Sequence, residues 1–255
     1  MDLLREFYIL VKTIMHWIYA FFGFTIFFFV FGLERVTILG RSYVLPVPMD
    51  NSFAVQMFNR IRSDLLPPEV KLIVTNPMSA FLVQVEIALL LGFFVTFPYF
   101  LYTIILYLRP ALLSEERKAV LWILIPLVFL FMLGVFFSYI LLIPATFDIL
   151  YPYATNMGIA PFFALEEFMY YVSLLLMVSG FMFLLPIFMV LLSFIHVVPT
   201  KFWQERWRGA LLFFLILSAI ITPDQTGITM IMLFIPLALL YLAGSFFAKR
   251  LHKRV

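Results

Sequence analysis

Long apolar runs alternate with short polar segments along almost the whole chain. The runs fall near residues 14–33, 78–107, 119–145, 168–195, 209–222 and 228–247. A helix needs roughly 20 apolar residues to cross the hydrocarbon core of a bilayer, and all the runs but the fifth reach that length. The fifth run would begin earlier, cross tilted, or cross through a locally thinner bilayer. The pattern therefore predicts an all-α membrane fold with six transmembrane helices.

The composition supports this interpretation. Hydrophobic residues make up 65% of the 255 residues and charged residues 12%, whereas a soluble domain is typically about half apolar and a quarter charged. The net charge of +3 is too small to indicate nucleic-acid binding, and the absence of cysteine excludes disulfides and thiolate sites. The first residues lack a basic segment that leads to a cleavage site, so no cleaved signal peptide is expected.

The distribution of Lys and Arg predicts the orientation. If the N-terminus lies inside, the inner segments hold twelve of the 17 basic residues, and the other five lie in one long outer loop, about 34–76. Basic residues in short loops favour the cytoplasmic side. Both termini and the loop 108–118 are therefore predicted to be cytoplasmic, in the plasma (inner) membrane.

The outer loop contains an amphipathic pattern. Phe53, Met57, Ile61 and Leu65 recur at i, i+4 spacing before Pro67-Pro68, which predicts a helix that ends at these prolines. We interpret it as an interfacial helix that caps the bundle, with contact to a partner as the alternative.

Four prolines lie inside predicted spans and predict kinks, because proline removes a backbone donor and clashes with the preceding turn. These are Pro98, Pro126, Pro186 and Pro236. Bent helices would give a curved bundle with concave faces. We find no internal repeat, which argues against an inverted-repeat transporter.

Glu86 is the one carboxylate well inside a predicted span. It would lie roughly 13 Å from the outer helix end. A charge at this depth is costly, so such residues are candidates for a cavity or a functional site; the alternatives are snorkelling or simple protonation. Gln84, two residues away, would share that surface only in part.

Catalytic and metal-binding patterns are missing. His16, His196 and His252 share no metal-ligand spacing, and no histidine is placed to activate a serine at mid-membrane. We expect no metal site, no cofactor and no enzymatic activity.

The segment LRPALLSEERKAV, residues 108–120, places Glu115 and Glu116 among Arg109, Arg117 and Lys118. Taken alone, this pattern favours ion pairs on a solvated loop, each worth about 0–1 kcal/mol. Together with its neighbours it is similar to a known signature: proline, tyrosine, an aromatic residue, P-x-L, and an acid followed by basic residues. The matching positions are Pro98, Tyr102, Tyr107, Pro110, Leu112, Glu116 and Arg117-Lys118.

This signature resembles that of TatC, the large subunit of the twin-arginine (Sec-independent) protein translocase. Further similar stretches follow in the same order at 65–81, 180–187, 205–212, 219–224 and 234–241. The resemblance implies one glove-shaped domain over residues 1–255 that receives signal peptides with paired arginines at its cytoplasmic face. It also implies a non-enzymatic scaffold that moves folded proteins using the proton-motive force, together with single-span partner subunits and further copies of itself.

The resemblance also implies residue roles. Glu116 matches the family's signal-binding glutamate, Glu115 is a candidate second acid, and Tyr107 falls where the family has phenylalanine. Glu6 is the only acid comparable with the family's N-terminal one. Structural or partner-docking roles fall to Pro98, Pro110, Pro186, Pro223, Asp224 and Pro236.

The sequence departs from the family at two acids. Leu184 replaces the intramembrane glutamate of the fourth span, and Leu242 stands where the sixth span often has an acid. We hypothesise that Glu86 supplies the missing polar function. A proton-coupled secondary transporter that uses Glu86, or a divergent paralogue without transport activity, is the alternative.

Overall fold

The structure is a computed structural model of the chain. It describes residues 2–38, 41–48, 51–66, 70–108, 123–158, 162–194, 197–222 and 227–252. The chain divides into two compact units. The first contains Met1–Leu113 and Ala160–Tyr170, and the second contains Ser114–Ile159 and Tyr171–Val255.

The described residues are mostly helical. The α-helices are α1 Asp2–Val30, α2 Phe53–Leu65, α3 Ser79–Leu108, α4 Leu124–Phe137, α5 Ile143–Asn156, α6 Leu165–Phe183, α7 Leu185–Phe194, α8 Thr200–Glu205, α9 Trp207–Ile221 and α10 Ile228–His252. The strands are β1 Phe31–Ile38, β2 Arg41–Pro48, β3 Lys71–Ile73 and β4 Phe162–Ala164.

The helices confirm the predicted all-α membrane fold. Five helical segments of the described chain are long and apolar enough to cross a membrane: Val11–Val30, Ser79–Ile105, Leu124–Pro152, Leu165–Phe194 and Ile228–Arg250. The shorter apolar helix α9 corresponds to the predicted fifth run. The third span continues further than its apolar run, and a π-helical turn, Ser138–Leu142, joins α4 to α5 within it.

The four prolines do not act alike. Pro98 and Pro236 lie inside α3 and α10, and Pro186 follows the break between α6 and α7 at Leu184. The prediction of a kink at Pro126 was wrong, because this proline is the third residue of α4. The first four N–H groups of a helix have no intrahelical acceptor, so proline removes no hydrogen bond there.

The long polar loop, about 34–76, contains the predicted amphipathic helix, strands β2 and β3 and most of β1. Helix α2 ends at Leu65, and the Ser52 side chain caps its N-terminus by accepting from the Val55 N–H. Its buried residues are Ala54, Ile61 and Leu65, so the buried face is rotated slightly from the predicted one. Before it, β1 and β2 form an antiparallel hairpin that we did not predict. Strands β3 and β4 pair in parallel.

Helices α1 and α3 form an antiparallel pair in the first unit. Phe29 contacts Phe81 near one end of the pair, and Trp17 contacts Phe100 further along, with ring centroids 5.8 and 4.6 Å apart. Between them Gly92 faces Thr25, and a Cβ on this glycine would lie 2.4 Å from the Thr25 Oγ1. The backbones can approach closely because small residues meet at the crossing.

Candidate functional site

The acidic loop that the sequence singles out lies outside the described residues. This applies to Pro110, Glu115 and Glu116, and also to Pro223 and Asp224. What the structure does give is the element that leads into the loop, since α3 remains helical up to Leu108.

The path of α3 through Pro98 positions the start of this loop. Pro98 is half-buried and its neighbour Phe97 is fully buried. On either side, the hydroxyls of Thr96 and Thr103 each donate a 2.8 Å hydrogen bond to the carbonyl four residues earlier, those of Gly92 and Tyr99. Helix α3 continues to Leu108, so Tyr107 lies directly before its end.

The α1–α3 pairing brings two predicted site residues to the same end of the pair. The two helices run in opposite directions through the Trp17–Phe100 contact. Glu6 precedes Trp17 by three turns, and Tyr107 follows Phe100 by about two turns. Both backbone positions therefore lie beyond this contact on the side where the acidic loop begins.

Glu86 lies on α3 and is half-buried. Gln84 does not extend a polar surface from it, because the Gln84 Nε2 donates to the Ser52 Oγ at 3.0 Å and to the Phe29 carbonyl at 3.4 Å. Through these two hydrogen bonds Gln84 connects α3 with the N-terminus of α2 and with the end of α1. Because the third span extends to Pro152, Asp148 also falls within a span, although only one turn from its end.

Leu184, where the resemblance implies a glutamate, occupies a packed apolar position. Its side chain is 2% exposed. The chain turns tightly here, since the Leu184 N–H donates to the Phe181 carbonyl and the Ile187 N–H donates to the Leu184 carbonyl, each three residues earlier and both at 3.1 Å. Leu242, at the other departure, is 49% exposed on α10.

Glycines pack the helices of the second unit closely around this break. A Cβ on Gly134 would lie 2.5 Å from the Ser179 carbonyl oxygen, and one on Gly180 would lie 2.6 Å from the Phe131 ring. Pro186 is buried, and its Cα would be 2.9 Å from a Cβ on Gly244. These contacts give Pro186 a packing role within the unit, whereas Pro236 is only half-buried.

A hydrogen-bonded aromatic cluster that the sequence did not reveal fixes the short helix α8. The Trp203 Nε1 donates to the Ser193 Oγ at 2.9 Å, and the Tyr241 hydroxyl donates to the Trp203 carbonyl at 2.6 Å. Phe214 packs edge-on against the Tyr241 ring. The cluster joins α7, α8, α9 and α10. The only signal was the aromatic residues of FWQERW before the fifth span.

Among the described residues, no group of three or more His, Cys, Asp or Glu side chains lies close enough together to hold a metal ion.

Comparison with known proteins gives a consistent result. The family model for the Sec-independent protein translocase protein (TatC) matches residues 6–236. The TatC of Cenarchaeum symbiosum (strain A) is 37% identical over 231 residues, which cover 90% of this chain and 88% of that protein. The TatC of Aquifex aeolicus (strain VF5) is 28% identical over 200 residues, covering 77% of this chain and 82% of that protein.

The fold agrees with these relatives. A crystal structure of the twin-arginine translocase receptor TatC superposes with a TM-score of 0.76 at 25% sequence identity, covering 96% of this chain and 98% of that chain. The match spans nearly the whole sequence, and it accounts for the order of the six apolar helices. The chain therefore belongs to the TatC family of Sec-independent protein translocase proteins and is a multi-pass membrane protein of the Tat system.

Proposed function

We propose that the chain is the signal-peptide receptor and scaffold subunit of a twin-arginine translocase. The observation that carries the proposal is the antiparallel α1–α3 pair, which directs Glu6 and Tyr107 to the end where the acidic loop begins. Glu116, Glu115 and Glu6 then supply the carboxylates of one docking region. Tyr107 supplies an aromatic ring beside them.

This set of side chains suits a signal that carries two arginines. A guanidinium is a planar fork that pairs with a carboxylate through two parallel hydrogen bonds, which an ammonium cannot reproduce. Guanidinium groups also stack on aromatic faces, a role that Tyr107 fits.

The charge distribution supports docking from the cytoplasmic side. The two short connections that would face outwards, 157–164 and 222–227, contain neither Lys nor Arg. The twelve basic residues of the inner segments thus fix both termini and the acidic loop in the cytoplasm. The plasma membrane is then the site of action, because folded cargo arrives from the cytoplasm.

The scaffold role rests on lipid-facing apolar surface. On α9 the exposed side chains of Leu212, Phe213, Ile216 and Ile220 follow helical spacing along the shortest span. Single-span partner subunits would pack on such a face, and further copies of the chain would join the complex. Transport would be driven by the proton-motive force without covalent chemistry.

A photocrosslinking experiment tests the docking site. A photoreactive residue at Ser114, two positions before Glu116, is introduced into the full chain in inside-out vesicles. A signal peptide with paired arginines is compared with its paired-lysine counterpart. We expect labelling by the arginine peptide that weakens with lysine, and that falls in Glu116→Gln but much less in Glu116→Asp.

The matched control is Glu167→Gln, which neutralises an exposed carboxylate in the first turn of α6, at the opposite membrane face. It should leave labelling unchanged. Equal labelling by both peptides, or equal loss in both Gln variants, would contradict a carboxylate-based receptor.

Glu86 has two candidate roles: a polar function within the proposed translocase, or proton relay in a secondary transporter, which is the alternative function. A half-buried carboxylate in the second span could provide the polar function that Leu184 has lost. In a transporter the same group would relay protons. Glu86→Gln should reduce transport of a folded cargo without reducing signal crosslinking; normal transport in this variant would remove Glu86 from both roles.

A further inference from the structure

A cavity of about 420 Å³ opens in the first compact unit, beside the outer part of α3. Its walls come from α2, the start of α3 and Leu165 at the start of α6. The residues that matter here are Val55, Phe58, Ala80, Phe81, Gln84 and Ile87. The volume falls in the range of sites that hold small molecules, roughly 300–1,000 Å³.

The walls suit a hydrocarbon ligand. Gln84 is the only polar residue among the described lining residues, and its amide nitrogen already donates to Ser52 and to the Phe29 carbonyl. A peptide in this cavity would leave its own backbone N–H and C=O groups without enough partners, which is costly in an apolar environment. A saturated chain has no such groups.

The bilayer reaches the cavity directly. The lining positions from Ala80 to Ile87 belong to the second membrane span, and they extend roughly 10 Å along α3. Phe81 on the cavity wall is 49% exposed, and its neighbour Leu82, outside the cavity, is 52% exposed. In a membrane these exposed side chains contact lipid, so the hydrocarbon of the outer leaflet adjoins the opening.

A positively charged side chain, that of Arg62, lies next to the cavity on α2. Val55, Phe58 and Arg62 follow one another at helical i, i+3 and i+4 steps, which places them on one face. Arg62 is exposed in the last turn of α2. The neighbouring Arg60 is held by Asp64 at 2.9 Å, so Arg62 is the arginine better placed for an external anion.

We propose that this cavity binds one hydrocarbon chain of an anionic phospholipid of the outer leaflet, with the lipid phosphate at Arg62. The bound chain would fill the space between α2 and α3 and fix the interfacial helix on the second span. The inference depends on the membrane fold and is independent of signal docking.

Photoreactive lipid labelling tests the proposal on the full chain. The protein is reconstituted in phosphatidylcholine vesicles that contain phosphatidylglycerol with a diazirine in the middle of one acyl chain. After irradiation, mass spectrometry maps the labelled residues. We expect labels on Phe58 and Ala80. Labels confined to residues outside the cavity, such as Leu82, would overturn the proposal. Crosslinks of Phe58 and Ala80 to a second protein chain in place of lipid would overturn it as well.

Two tryptophan variants separate the cavity from the surface around it. Ala80→Trp fills the cavity and should lower Phe58 labelling about tenfold, which corresponds to about 1.4 kcal/mol. Leu82→Trp, two residues away and outside the cavity, should leave it unchanged. Equal labelling of Phe58 in the two variants contradicts a chain bound in the cavity.

Arg62→Gln tests the headgroup. With equal amounts of photoreactive phosphatidylglycerol and phosphatidylcholine offered separately, the variant should lose the preference for the anionic lipid while labels remain on Phe58. An unchanged preference would overturn the role of Arg62. The labelled residues are first mapped on the unsubstituted chain. The proposal can therefore be tested even if one of the variants fails to fold.

Discussion

The second and fourth spans both contain a proline, but they treat it differently. Helix α3 continues through Pro98 without interruption, whereas the fourth span breaks at Leu184, two residues before Pro186. At the break the Leu184 N–H donates its hydrogen bond to the Phe181 carbonyl, three residues earlier, in place of the carbonyl four residues earlier. Proline alone therefore does not decide where a membrane helix breaks.

The two spans also differ in how they are packed. Around the break, Gly134 and Gly180 allow neighbouring backbones and the Phe131 ring to approach closely. The second span also packs closely, against α1 where Gly92 faces Thr25, and in addition Gln84 donates hydrogen bonds to Ser52 and to the Phe29 carbonyl. The fourth span is packed tightly by apolar contacts around its break, and the second combines close packing with hydrogen bonds near its N-terminal end.

The largest effect is expected at the break itself. Leu184→Glu introduces a carboxylate where the side chain is 2% exposed. A carboxylate at the centre of a membrane helix costs about 2.5–3.5 kcal/mol. We expect a clear loss of folded protein and a lower unfolding midpoint in detergent, measured by fluorescence-detected gel filtration after heating.

Leu184→Met is the matched control, because a swap that preserves volume usually costs less than about 1.5 kcal/mol. If the glutamate variant were as stable as the methionine variant, the break would contain space for a charged group, and its apolar character would not be required.

The second prediction concerns the close packing. A Cβ on Gly134 would lie 2.5 Å from a backbone oxygen, whereas a Cβ on Gly23 would meet nothing within 4 Å. Gly134→Ala should destabilise by about 1–3 kcal/mol through overpacking. Gly23→Ala should be neutral or stabilise by up to about 1 kcal/mol, since alanine is the better helix former. Equal unfolding midpoints for the two variants would show that the helices separate easily.

Hydropathy predicted the spans because a bilayer imposes length and apolarity on them. It could not locate the hairpin of β1 and β2, since hydropathy does not show which residues of two segments pair with each other. It also missed the π-helical turn at Ser138–Leu142, because backbone hydrogen-bond register leaves no mark on composition.

The candidate site was only partly predictable. Residue types identified Glu116 and Tyr107 through the family signature, but the sequence does not say which helices pair. Helix α3 is apolar all round, so its pattern does not reveal that it meets α1 through Phe100. The Trp203 cluster was missed because its hydrogen bonds join residues 10 and 38 positions apart.

The third prediction addresses the polar ties of the second span. Gln84→Leu preserves much of the side-chain volume but removes both donated hydrogen bonds. We expect a loss of about 1–2 kcal/mol, because net hydrogen bonds contribute about 0.5–1.5 kcal/mol each and the Phe29 carbonyl is left without this donor. The measurement is the unfolding midpoint together with hydrogen exchange of α2. A stable variant with unchanged exchange would mean that the ties contribute little.

The smallest effects should come from the prolines, and their ranking tests the comparison directly. Pro98→Ala restores a backbone donor in a helix that is already continuous, so we expect a change within about 0.5 kcal/mol. Pro186→Ala removes buried ring atoms that pack near Gly244 and frees the unfolded chain, so we expect a loss of about 1 kcal/mol. Both are read as unfolding midpoints in the same detergent. If Pro98→Ala were the more destabilising of the two, the proline ring would contribute more to the continuous second span than to the broken fourth one, which is the reverse of what the packing around Leu184 predicts.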